Sequence, residues 1–103
     1  MKKAKVFVDG IYAGDLEEIV KGKEYRLTYR EEYSGGAVSL TMPVNQRLYV
    51  FDRFPPFFEG LLPEGSMLEA LLKKRKIDAD DYFEQLMQVG REVVGNVTVE
   101  RAL

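Results

Sequence analysis

The sequence contains no cysteine and no histidine in 103 residues. The missing cysteine excludes disulfide bonds, thiol catalysis and thiolate metal sites. The missing histidine removes the commonest general base and the commonest metal ligand. No stretch approaches the about 20 consecutive apolar residues of a membrane-spanning helix. The apolar run behind the basic N-terminus stops at Asp9-Gly10, which is too short for a signal peptide. We therefore expect a soluble cytoplasmic protein with no metal, no cofactor and no membrane contact.

The motifs of familiar catalytic sites are also missing. The sequence has no glycine-rich phosphate loop and no Ser-His-Asp set, so an enzyme is not expected. The net charge of −2 gives no global attraction to nucleic acid or anionic lipid. The length suits one domain with a modest core. These features favour a single-domain binding or regulatory module over residues 1–103, with no direct nucleic-acid partner.

The first half of the chain carries strand and turn signals. Asp9-Gly10, between apolar runs, is typical of a type I′ hairpin. Glu24–Arg30 alternates, with Tyr25, Leu27 and Tyr29 on one face, as in a half-buried antiparallel strand. The other predictions for this region and for the C-terminus are strands at Lys5–Val8, Ile11–Ala13, Ala37–Met42 and Val97–Val99, a bend or bulge at Gly14-Asp15, a turn at Lys21–Lys23, and a short extended piece at Leu48–Phe51.

The second half of the chain is typical of helices. Pro56 suits the first position of a helical turn over Phe57–Leu61. Ser66-Met67-Leu68-Glu69 matches a capping box, so a helix is predicted from Met67 to about Lys74. A third helix is predicted to begin at Asp78 or Asp80 and to end with Gly90 as its C′ residue. The whole pattern predicts an α+β domain: a small antiparallel sheet of about five strands with two to three short helices packed on one side.

Four clusters have both a functional and a simpler interpretation. The basic run Lys73–Lys76 either complements the end of a helix dipole or contacts a charged partner. The carboxylates Asp78, Asp80 and Asp81 lack calcium-loop spacing, which favours helix capping over a metal site. For one aromatic cluster a core is favoured over a ligand pocket; its members are Phe51, Phe54, Phe57 and Phe58. A second aromatic cluster could stack bases as on an RNA-binding sheet, but the RNA-binding signature is absent; its members are Tyr25, Tyr29 and Tyr33.

The stretch Phe57–Gly65 closely resembles the "FFxxLLPEG" segment of HipA-type proteins, which lies in the small N-terminal subdomain of these bacterial toxin kinases. Three further segments resemble the family in the same order, and together they span about Lys5 to Val99: Val8–Leu16, Val38–Pro43 for the "SLSMP" segment, and Leu86–Val97 for the "LLxxIGxDxxGAL" segment. The sequence departs from the family pattern at three positions, namely Glu92, Asn96, and Ser66, where some relatives carry a bulky residue.

The HipA kinase core that should follow this subdomain is absent from the sequence. A stand-alone copy resembles the HipS antitoxins of HipBST toxin–antitoxin modules, in which the kinase toxin HipT lacks the subdomain. The resemblance implies an antitoxin that docks on and neutralises a HipA/HipT-type serine/threonine kinase, with a HipB-like DNA-binding protein as a further member of the complex. The alternative is a non-catalytic structural subdomain of a full-length HipA-type kinase. A termination codon after Leu103, beside a kinase reading frame, would decide for the antitoxin.

We expect the partner-binding surface in the turn formed by Leu61, Leu62, Pro63, Glu64, Gly65, Ser66 and Met67. A Pro-Glu-Gly turn between two helices is rigid and projecting. Glu64 brings a negative charge that suits basic phosphate-binding residues in a kinase cleft, and Leu62 and Met67 would be apolar anchors. Phe57 and Phe58 are assigned to the core. The simpler interpretation is that the turn only joins two helices and that Leu62 is a core residue.

Overall fold

A computed structural model describes residues 2–93 and 95–102. Its strands form one antiparallel five-stranded sheet in the order β4-β3-β2-β1-β5. The strands are β1 (Lys2–Val8), β2 (Ile11–Val20), β3 (Glu24–Tyr29), β4 (Leu48–Phe51) and β5 (Val97–Arg101). The helices are α1 (Pro56–Glu59), α2 (Gly65–Arg75) and α3 (Tyr82–Val89). The α+β fold predicted from the sequence is confirmed.

Local turn chemistry sets the first hairpin. Asp9 and Gly10 both have positive φ, 51° and 79°, as a type I′ turn requires. The β1–β2 register shifts between Val6 and Phe7, so the bulge falls at Ala13, one residue before the predicted position. Gly14 serves a different purpose, because a Cβ atom there would lie 2.3 Å from the carbonyl oxygen of Thr28. Glycine therefore permits the close approach of β2 to β3.

The core lies on one face of the sheet. Alternate residues of the strands point into it, as the β3 pattern predicted, and α1 and α3 close it with Phe58, Phe83 and Leu86, each 0% exposed. Gly90 was predicted as the C′ residue of α3, but it is the C-cap of that helix, in a right-handed conformation with φ −61°. A Cβ at Gly90 would lie 2.5 Å from the carbonyl oxygen of Val99. The glycine is needed because the end of α3 touches β5.

The predicted strand Ala37–Met42 is wrong. These residues belong to the long connection between β3 and β4, residues 30–47. Val38 and Met42 are buried, but Leu40 between them is 100% exposed. The Tyr29 hydroxyl accepts a hydrogen bond from the Val38 backbone N–H and donates one to the Met42 carbonyl oxygen. A side chain thus satisfies backbone groups that a strand would pair in a ladder, and the extended piece Leu48–Phe51 becomes the edge strand β4.

The starts of α2 and α3 also differ from the prediction. The N-cap of α2 is Glu64, no side chain caps that helix, and Ser66 lies inside its first turn, so the capping box is wrong. Gly65, with φ 59°, turns the chain into the helix directly from extended Glu64. The N-cap of α3 is Asp81, whose side chain accepts a hydrogen bond from the Glu84 backbone N–H, rather than Asp78 or Asp80.

Candidate partner-binding surface

Leu61 and Leu62 attach the turn between α1 and α2 to the rest of the domain. The hydrogen bonds of α1 continue past its end, because Leu61 N–H bonds Phe58 O at 3.1 Å and Leu62 N–H bonds Glu59 O at 3.1 Å. Both leucines are partly buried and pack against the core cluster. Leu62 is therefore neither a full core residue nor a free anchor. It fixes the turn while keeping part of its side chain at the surface.

The other half of the turn faces solvent. Glu64, Gly65 and Ser66 are exposed, Pro63 is half-buried, and Met67 has 72% of its surface exposed. Isolated apolar residues are common on protein surfaces, but Met67 stands in the first turn of a helix next to an exposed carboxylate. The arrangement presents a flexible thioether side chain and a negative charge side by side.

Two shallow depressions flank the turn, and Glu59 and Glu64 line both of them. One, of about 290 Å³, is also lined by Arg53, Pro56 and Gly60. The other, of about 200 Å³, is completed by Leu62, Pro63, Leu68, Tyr82 and Gln85. Within the part of the chain that the structure describes, neither carboxylate has a cationic group within 4.0 Å. The surface between the depressions, formed by Glu59 and Glu64, is therefore acidic, and its two charges are not neutralised by ion pairs among the described residues.

Helix α2 extends this surface without entering the core. None of its residues is buried, and Leu68, Leu71 and Leu72 are only half-buried. Lys73, Lys74 and Arg75 occupy its last turn, where cations complement the helix dipole. The helix therefore presents a half-covered apolar stripe with an acidic turn at its N-terminus and a basic run at its C-terminus.

The other clusters have structural explanations. Among the described residues, no group of three His, Cys, Asp or Glu side chains is placed to hold a metal ion, and Asp81 caps α3. Tyr25, Tyr29 and Tyr33 are at most 5% exposed, so the base-stacking hypothesis is wrong. Burial also raises the pKa of all three hydroxyls above the usual value. No helix within residues 2–93 and 95–102 has the length and apolar character to cross a membrane.

The aromatic cluster divides between core and surface. Phe54 and Phe58 are buried, whereas Phe51 and Phe57 are half-buried against the core. The last two line an open cavity on the same face as the turn. Sequence reasoning favoured a core over a ligand pocket for these residues, whereas Phe51 and Phe57 do both. It missed the exposure of Leu40 beside the cavity, because alternating residues predicted a strand there. The only sequence signal for a loop was the neighbouring Gly35-Gly36 pair.

The comparisons with known proteins agree with this geometry. The HipA N-terminal domain family matches residues 4–100. An uncharacterized protein of Haemophilus influenzae is 30% identical over 100 residues, which cover 97% of this chain and 92% of that protein. A solved structure, the N-terminal domain of HipA toxin, is similar with a TM-score of 0.77 and 27% identity, covering 100% of this chain and 94% of that one. The chain belongs to the HipA N-terminal domain family.

Proposed function

We propose that this chain is an antitoxin-like binding protein that docks on a HipA- or HipT-type serine/threonine kinase toxin and neutralises it by obstructing the active cleft. The observation that carries the proposal is the length of its Haemophilus relative. The 100 aligned residues make up 92% of that protein, which leaves no room in it for a kinase core. A family domain that occurs without the kinase is expected to act on one supplied by another chain.

The turn from Leu61 to Met67 is the part of the surface that suits this role best. Its backbone is fixed by the buried sides of the leucines, so little conformational entropy is lost on docking. Glu64 and Glu59 offer charges without internal partners to the basic residues that bind nucleotide phosphates in a kinase. Met67 supplies an exposed, adaptable apolar contact. The role requires no catalytic group, metal or cofactor from this chain, and it places the protein in the cytoplasm with the kinase and a HipB-like DNA-binding protein.

The test is co-expression of the chain with a HipA/HipT-type kinase from the same genome, scoring growth rescue and recovery of the complex. We expect the wild-type chain to rescue growth when it is supplied as a separate polypeptide. Glu64→Arg and Met67→Asp should each weaken the complex, the first because it reverses a charge in the interface and the second because it buries one.

Matched controls separate a lost contact from a lost fold. Glu31→Arg reverses an exposed carboxylate in the β3–β4 connection, and Ile11→Asp charges a 60% exposed apolar residue at the first hairpin. Both should rescue growth normally. If the two turn variants are folded by circular dichroism and still bind and rescue like wild type, this turn is not the site. If the wild-type chain neither binds nor rescues, the alternative of a structural kinase subdomain is favoured.

A further inference from the structure

Leu40 is fully exposed on a loop that is held rigidly in place. Met42 N–H bonds Ser39 O at 2.9 Å, which closes a turn around Leu40. The Met42 carbonyl oxygen accepts from the Tyr29 hydroxyl at 2.5 Å, and the next carbonyl, of Pro43, accepts from the Tyr49 hydroxyl at 2.7 Å. These hydrogen bonds hold the backbone on the C-terminal side of Leu40, so the leucine is fixed in its exposed position. A leucine held in full contact with water gains free energy when a partner buries it.

An open apolar cavity of about 380 Å³ adjoins this loop. It begins at Thr41 and Met42, immediately after Leu40 in the chain. The aromatic residues Tyr49, Phe51 and Phe57 are among those that line it, and all three also pack against the core. Cavities of this size and composition accept apolar side chains. This region therefore offers a partner two apolar contacts: the exposed Leu40 side chain and a cavity that can accept an apolar side chain of the partner.

The cavity and the turn share one face of the molecule. Arg53 and Pro56 line the cavity and also line the depression that reaches Glu59 and Glu64. The combined lining contains three carboxylates, those of Asp52, Glu59 and Glu64, and the single guanidinium of Arg53. A second copy of this chain would bring the same acidic surface against itself, which is unfavourable. A partner with a basic surface is therefore favoured as the occupant.

We propose that Leu40 and the adjoining cavity form a second anchor for the same kinase partner that docks on the Leu61–Met67 turn. This inference rests on the proposed function. In the complex, Leu40 packs against an apolar patch of the kinase, while an apolar side chain of the kinase enters the cavity between the loop and α1. The two anchors lie at opposite ends of a continuous surface and bind one partner together.

The test is the affinity of purified variants for the catalytically inactive kinase, measured by calorimetry. Burying a leucine side chain contributes enough that Leu40→Ser should raise Kd about ten- to a hundredfold. Thr41→Trp, which places a large ring at the cavity mouth, should also weaken binding although Leu40 remains. Val20→Ser removes a 48% exposed apolar residue at the β2–β3 turn and should leave Kd unchanged.

The outcomes separate this inference from the proposed function. If the wild-type chain binds the kinase and Leu40→Ser and Thr41→Trp bind as tightly, the second anchor is wrong while the turn is still supported. If the wild-type chain does not bind, the proposed function itself fails. If sedimentation shows that the wild-type chain is a dimer and that Leu40→Ser is a monomer, Leu40 binds a second copy of this chain and the inference is overturned.

Discussion

Replacing Tyr29 by phenylalanine tests how the long β3–β4 connection is held. The ring of Tyr29 is buried, with 2% of the residue exposed, and it stacks on Tyr33 with ring centroids 6.0 Å apart. Its hydroxyl accepts from Val38 N–H at 2.8 Å and donates to Met42 O at 2.5 Å. Phenylalanine keeps the ring packing and removes only the oxygen. The measured effect therefore reports the two hydrogen bonds alone.

The magnitude follows from what the substitution leaves behind. Both Val38 and Met42 are buried, so their backbone groups have little access to replacement water. An unsatisfied buried donor or acceptor costs about 1 to 3 kcal/mol. The substitution leaves one donor and one acceptor unpaired, so we expect Tyr29→Phe to lower the free energy of unfolding by roughly 2 to 6 kcal/mol, a large part of the stability of a domain of this size.

Urea denaturation followed by circular dichroism measures this loss, and two tyrosines provide controls. The Tyr33 hydroxyl makes one hydrogen bond, to Gly36 O at 2.6 Å, and the Tyr49 hydroxyl makes one in an exposed setting. Tyr33→Phe and Tyr49→Phe should each cost less than Tyr29→Phe, by about 1 kcal/mol or more. Equal losses for the three variants would refute the idea that Tyr29 holds the loop. In the proposed complex with a kinase, Tyr29→Phe should also raise Kd, because Leu40 loses its fixed position.

Two further predictions concern other parts of the fold. Gly65→Ala should lower the free energy of unfolding by about 1 kcal/mol, because Gly65 has φ 59° and alanine is strained there; unchanged urea stability would contradict the assigned conformation. Glu84→Gln should lower it by about 1 to 2 kcal/mol at pH 7, because the Glu84 carboxylate accepts from Lys2 at 2.7 Å and Arg101 at 2.5 Å. Burial raises the pKa of Glu84, but the hydrogen bonds from Arg101 and Lys2 outweigh it and lower the pKa below 4.5. The stability contributed by Glu84 is therefore fully present above pH 4.5 and is lost as the pH falls through the lowered pKa. The difference in urea midpoint between wild type and Glu84→Gln should be largest at pH 7 and should shrink as the pH falls through that pKa.

The parts of the fold that were predicted correctly depend on neighbours in sequence. Asp9-Gly10 needs only its own backbone preference, and the alternation through β3 reports a sheet with one buried face. The wrong strand at Ala37–Met42 shows where such reasoning fails. Val38 and Met42 are buried as a strand would bury them, but a hydroxyl from Tyr29 holds their backbone. That contact joins residues 9 and 13 positions apart and leaves no local pattern.

The candidate site was only partly accessible from the sequence. The motif order located the turn, and composition indicated its exposed charge. The capping box failed because a Ser-x-x-Glu spacing does not reveal that Gly65 adopts positive φ and starts the helix two residues earlier than predicted. The cavity could not be predicted, because it is formed by residues from the loop, β4 and α1. The sequence order of these segments does not show that they meet.

The departure at Ser66 changes how the turn is expected to bind. Ser66 does not cap α2, so the start of this helix does not require a hydroxyl side chain at this position. A relative with a bulky side chain there would place it in solvent, in the first turn of α2, beside Met67. In this chain the same direction is occupied by a small side chain, so the apolar contact must come from elsewhere on the face. Met67 on one side and Leu40 with its cavity on the other are exposed apolar groups on this face, which supports the proposed surface with two anchors.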